Sequence, residues 1–177
     1  NDARRQRQMC IRDRYYLGYA LEQMRGTFYR QVMFSEFELA IHEAVERGEA
    51  LTGSRMTQIY GEILKRYHGH DAGVMKITDR EMIEWAYIPH FYYNFYVYQY
   101  ATSIAGAAYF VDRLKSGSDT ARETYIKFLE AGGSAYPLDI LRSAGLDMTN
   151  RVPYDAVIDR MDAVMDEIEL ILDARGS

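Results

Sequence analysis

EWAYIPHFYYNFYVYQYATSIAGAAYFVD, Glu84 to Asp112, is the stretch on which the fold turns. Between its two end acids lie 27 residues without Asp, Glu, Lys or Arg, and nine of the sixteen residues from Trp85 to Tyr100 are aromatic. Such a run suits a bilayer, an ordinary core, or the wall of a binding site. It is long enough to span a membrane, but its polar groups argue against one. Tyr92, Tyr93, Tyr96, Tyr98 and Tyr100, with His90, Asn94 and Gln99, place polar atoms all around a helix, and in hydrocarbon each would need a partner. Tyrosine belongs at membrane interfaces rather than throughout a span. No membrane partner is expected.

Core and site wall both stay open. Ile104, Ala105, Ala107, Ala108 and Phe110 read as core, and Ser103, Gly106 and Ala107 are small enough to admit a neighbouring helix. A tyrosine can be buried with its hydroxyl on a backbone carbonyl, or it can line a cavity. Pro89 disfavours helix at Ile88 and can itself open one, so a long helix is predicted from about Pro89 to about Leu114. On it Tyr92, Tyr96 and Tyr100 share a face, with Tyr93 beside them. Phenols are donors that stay neutral at pH 7, which suits a carbonyl or an oxyanion.

Outward from this stretch the chain reads as helices. Leu17, Leu21, Met24, Phe28, Val32 and Leu39 recur at three- to four-residue steps from about Tyr15 to Glu49, a helical period that Gly26 only weakens. After ERGEALTGS, Ser54 is placed as the cap of a second helix carrying Met56, Ile59, Ile63 and Tyr67. TDRE, Thr78 to Glu81, matches a capping box. Ser118 caps a helix to Leu129, Pro137 and Gly145 bracket a compact one, and the last starts near Pro153. Its stripe is Val157, Ile158, Met161, Val164, Met165, Ile168 and Leu172. There is no strand-like alternation, repeat or linker. The 177 residues, 48% of them hydrophobic, suffice for one core, and the expected class is all-α, a multi-helix bundle.

The formal net charge of -5 does not suit a polyanion partner. The exception is NDARRQRQMCIRDR, residues 1–14, with five arginines and two aspartates. It reads as a nucleic-acid-binding arm or as a disordered tail. The one cysteine, Cys10, permits no intramolecular disulfide and fits a reducing compartment, hence a cytoplasmic setting. The arm has no apolar run of the secretion-signal kind.

Three blocks carry a resemblance: MRGTFYRQVMFSEFE (Met24 to Glu38), IPHFYYNFYVYQYATS (Ile88 to Ser103) and AGGSAYPLDILRSAGLDM (residues 131–148). In their order and spacing they resemble the C-terminal part of the oligoendopeptidase F branch of the thimet-type zinc metallopeptidases, from Tyr15 to about Leu172. The resemblance implies the C-terminal helical part of a larger catalytic domain over residues 15–177. Residues 1–14 do not continue it and read as a disordered or artefactual arm, which removes the support for a nucleic-acid partner. In that family zinc is held by the histidines of HExxH and a later glutamate, and zinc-bound water attacks the peptide carbonyl. This chain has four histidines, His42, His68, His70 and His90, and none forms HExxH. HEAVE at His42 lacks the second histidine, and HGH at His68 has a spacing no helical face can use. A metal set of Glu36, Glu38, His42 and Glu43 lacks Glu-x-x-His spacing. The chain therefore shows no complete zinc site, and alone it is expected to be inactive.

By resemblance, then, it is the substrate-binding part of a zinc-dependent oligopeptidase acting on short peptides. Residue by residue, His90 and Tyr96 are carried over as catalytic contacts to the scissile carbonyl and oxyanion, with Tyr93 and Tyr100 as contacts to the substrate backbone. Tyr98 is expected to face away, and Arg30 and Glu36 to form a structural ion network. The competing readings are a stand-alone helical module binding peptides or apolar ligands without catalysis, and a structural domain whose tyrosines are core. Oligomeric state has no sequence signal.

Overall fold

The structure is a computed structural model that describes residues 2–173, with side chains from Arg12 to Asp173. Among the described residues it is helical without a strand: α1 (Asp2–Met24), α2 (Arg30–Glu46), α3 (Gly53–Tyr67), α4 (Tyr98–Lys115), α5 (Asp119–Ala131), α6 (Pro137–Ser143) and α7 (Val152–Asp173). No helix among them is long and apolar enough to cross a membrane. The backbone of α1 begins at Asp2, well before the helix expected from Tyr15; the side chain of Cys10 lies outside the described residues.

The chain divides into two compact units, one of them Tyr29–Ala101 and the other built from the chain on either side of it. Both crossings fall within helical segments, so no linker or change of composition marks them in the sequence.

In the first unit α2 packs on α3, and α3 packs on a 3-10 segment, Glu81–Tyr87. The core is Met33, Phe34, Phe37, Ile59, Tyr60, Ile63, Leu64, Ile77 and Val97. Aromatic edges fill it: the Phe37 ring lies 5.1 Å from Tyr60 and 5.2 Å from Phe91, both T-shaped, the geometry ring quadrupoles favour. The stripe expected through Val32 and Leu39 is not the one buried, and Leu39 is exposed. The cause is a π-turn, Arg25–Tyr29, between α1 and α2. One extra residue in the turn shifts the helical phase, so Met33, Phe34, Phe37 and Glu38 become the inner face. The cap of α3 is Thr52, not Ser54: its hydroxyl accepts from the Arg55 amide at 3.2 Å. Gly61 lets the 3-10 segment close on α3, since a Cβ there would stand 2.8 Å from Met82 Cε. The TDRE glutamate acts as foreseen, its Oε2 accepting from the Thr78 amide at 2.8 Å and hydroxyl at 2.5 Å.

In the second unit α1 packs on α7 and α5 on α6. Phe110, Ala144 and Leu146 form a core with Tyr109, Tyr125, Phe128, Leu141 and Met148 around it. Ser118 caps α5, accepting from the Ala121 amide, and Pro137 opens α6. Gly145, at φ +80°, ends α6, with the Leu146 amide returning to the Leu141 carbonyl at 2.9 Å. Only part of the expected α7 stripe is inside. Val157 and Val164 are buried, whereas Ile158, Met165 and Leu172 are exposed.

Candidate active site

The aromatic stretch is not one helix. Ile88 is extended, as a residue before proline should be, and Pro89–Tyr92 makes a single 3-10 turn. The chain then leaves helical space. Asn94 and Phe95 both have positive φ, 49° and 59°, and α4 starts only at Tyr98. The helix expected from Pro89 is thus corrected by about nine residues. The face expected from Tyr92, Tyr96 and Tyr100 goes with it. Tyr92 points away, 78% exposed.

A loop achieves what the helix was expected to achieve. Phe91, against Phe34 and Phe37, and buried Val97 pin its two ends to the core. Between and just beyond those pins, three tyrosines gather on the imidazole of His90. Tyr96 stacks on it at 5.7 Å and 27°. Tyr93 and Tyr100 meet it edge-on at 6.4 and 5.8 Å. The Tyr100 hydroxyl stands 3.3 Å from His90 Nε2. Tyr96 also touches Tyr93 and Tyr100 edge to face, at 6.0 and 5.6 Å. All four residues proposed from sequence are therefore brought together. The Tyr100 phenol donates to Tyr96, and that hydrogen bond holds it above its ordinary range. The cluster is partly open, with Tyr96 38% exposed. The arrangement offers an imidazole and three phenols to one patch of surface, a set able to bind a peptide carbonyl or a developing oxyanion.

Tyr98 is half exposed. Arg30 and Glu36 belong to two separate pairs rather than one network. Arg30 pairs with Glu84, which also accepts from the Tyr60 hydroxyl at 2.5 Å, and Glu36 pairs with Arg66. The other histidines serve the fold. His42 stacks on Phe95 at 4.3 Å. His68 Nδ1 lies 3.0 Å from the Leu64 carbonyl, and His70 Nδ1 accepts from the Ile77 amide at 2.9 Å. Among the described residues no three His, Cys, Asp or Glu side chains are grouped to hold a metal ion. The described residues do not fit a zinc site.

Sequence reasoning weighed Glu38 only as a metal ligand and did not single out Phe95. Glu38, on α2, is buried, and its Oε1 accepts the Phe95 amide at 2.6 Å. A glutamate two positions after another in an apolar helix gives no sign that it reaches a loop 57 residues away.

Comparison with known proteins gives this site a family. The profile of peptidase family M3 matches residues 13–160. Oligopeptidase PepF of Bacillus subtilis is 42% identical over 159 residues, 89% of this chain and 23% of that protein. An oligoendopeptidase F homolog of Lactococcus lactis is 41% identical over 157 residues, 89% of this chain and 26% of that protein. The crystal structure of oligoendopeptidase-F from Enterococcus faecium superposes with a TM-score of 0.85 at 32% identity, covering 92% of this chain and 30% of that one. The chain spans about a quarter of the length of the curated relatives it matches. It belongs to peptidase family M3.

Proposed function

We propose that the chain forms the substrate-binding part of a zinc-dependent M3 oligopeptidase that cleaves short peptides. His90 and Tyr96 contact the scissile carbonyl and its oxyanion, and Tyr93 and Tyr100 contact the substrate backbone. The observation that carries this reading is the convergence of three phenols on one imidazole, in a stretch without a single formal charge between Glu84 and Asp112. The relatives named oligopeptidase and oligoendopeptidase supply the reaction class. The zinc of such a peptidase would be held outside the described residues, none of which group to hold a metal ion. By itself the chain does not hydrolyse peptides.

The decisive experiment is Tyr96→Phe in a full-length M3 oligopeptidase that contains this segment. Loss of one oxyanion donor should lower turnover by about ten- to a thousand-fold, with the melting temperature unchanged. Turnover within about twofold of the parent would remove Tyr96 from that role. Saturable peptide binding by the 177-residue chain alone, weakened by Tyr96→Ala, together with unchanged Tyr96→Phe turnover in the longer enzyme, would instead favour a binding module without catalysis.

A further inference from the structure

The loop that carries the cluster has a backbone its own residues disfavour. Left-handed φ is uncommon for any residue with a side chain, and Asn tolerates it better than Phe. Here the two occur in succession, Asn94 and then Phe95. Strain of that kind persists only where the surroundings over-determine it. Two residues one helical turn apart on α2 do so. The Glu38 carboxyl accepts the Phe95 amide at 2.6 Å, and the His42 ring stacks on the Phe95 ring at 4.3 Å. Main chain and side chain of Phe95 are thus held from the same helix. The next residue, Tyr96, is the one that stacks on His90.

Glu38 is not what packing alone would choose. It is 1% exposed, and its second oxygen, Oε2, is buried without a hydrogen-bond partner. An unsatisfied buried polar atom is costly, and an apolar side chain of that size would fill the space without it. What an apolar side chain lacks is an acceptor for the Phe95 amide.

We propose that Glu38 is a positioning residue for the His90, Tyr93, Tyr96 and Tyr100 cluster: its carboxyl locks Phe95 in left-handed backbone and so aims Tyr96 at His90. The functional weight of this rests on the substrate-wall reading above. The positioning itself is a statement about geometry and is tested without peptide cleavage.

The test uses the isotope-labelled 177-residue chain and NMR. In the unsubstituted chain the Phe95 amide should exchange at least about tenfold more slowly than the Asn94 amide, being bonded to a buried carboxyl. Glu38→Ala should move the His90 ring resonances and those of Tyr96, as the stacked ring current is lost. The Trp85 indole N–H, which donates to Thr57 in the same unit, should stay in place. Glu38→Gln keeps a carbonyl acceptor and should restore both the Phe95 protection and the His90 shift. A folded Glu38→Ala chain with His90 and Tyr96 unmoved would overturn the proposal. Should Glu38→Ala fail to fold, the unsubstituted chain decides: a Phe95 amide exchanging as fast as that of Asn94 overturns it too. An unchanged Tyr96→Phe turnover would sink the substrate-wall reading and leave these resonances where they are, so the two failures are distinguishable.

Discussion

Replacing Tyr60 by Phe removes one oxygen from a side chain with no exposed surface, and the cost can be worked out. The ring stays, and with it the contacts to Phe37 at 5.1 Å and Phe34 at 6.4 Å. What goes is the donation to Glu84 Oε2 at 2.5 Å. A hydrogen bond to a charged group contributes about 1.5–3 kcal/mol. Glu84 keeps its pair with Arg30 and is 30% exposed, so water takes up part of the loss. The expected cost is therefore at the low end, about 1.5–2 kcal/mol. With a urea slope of about 2 kcal/mol/M, the midpoint should fall by roughly 1 M. Trp85 is the one tryptophan and packs against this core, so its fluorescence follows the unit concerned. The same substitution should change the alkaline limb. Burial first, and Glu84 second, raise the Tyr60 phenol well above its ordinary value. Burial and a hydrogen bond to Glu36 push Tyr67 up to about 12. Both groups keep their protons in the folded chain after the unfolded chain has begun to lose them, near pH 10. In that window the unfolded state binds fewer protons, so stability falls as pH rises, having been fully present below it. Tyr60→Phe should make this fall shallower without abolishing it, since Tyr67 remains. A midpoint within about 0.2 M of the parent, together with an unaltered alkaline limb, would refute the Tyr60–Glu84 account.

Two further substitutions probe helix ends. Thr52→Ala removes the acceptor for the Arg55 amide and should cost about 1 kcal/mol, read as a lower urea midpoint; Ser54→Ala, off the cap, should cost far less. Gly145→Ala puts a Cβ at φ +80° and 3.3 Å from the Tyr109 hydroxyl, which donates to the Gly145 carbonyl. A loss of about 1–2 kcal/mol is expected by thermal denaturation, and no loss would mean that α6 does not end there as described.

Much of the fold was legible because it depends on local chemistry. The caps at Ser118 and Gly145, the proline at the start of α6, and the glutamate of TDRE each act within a turn of their own position. The three sequence blocks were legible for another reason, as long strings shared with a family. Two features were hidden, and both break helical periodicity without the usual punctuation. The π-turn at Arg25–Tyr29 contains a glycine but no proline, and its effect is only to change which apolar residues face inward. The left-handed pair at Asn94 and Phe95 has no glycine at all. What holds it, Glu38, is distant in sequence, and propensity has no term for a partner 57 residues away. His90, Tyr93, Tyr96 and Tyr100 thus stand together, but on a local geometry other than the helix expected. It is the loop that brings Tyr96 and Tyr100 to the imidazole, since ten residues of straight helix would hold Tyr100 about 15 Å from His90 along the axis.

The π-turn also separates two helical counts. It stands where the two units divide, between Phe28 and Tyr29. A continuous α-helix would carry the 3.6-residue count of α1 straight into α2. A wide turn absorbs the mismatch. The inward face of α2 is thus counted from Arg30 rather than from α1.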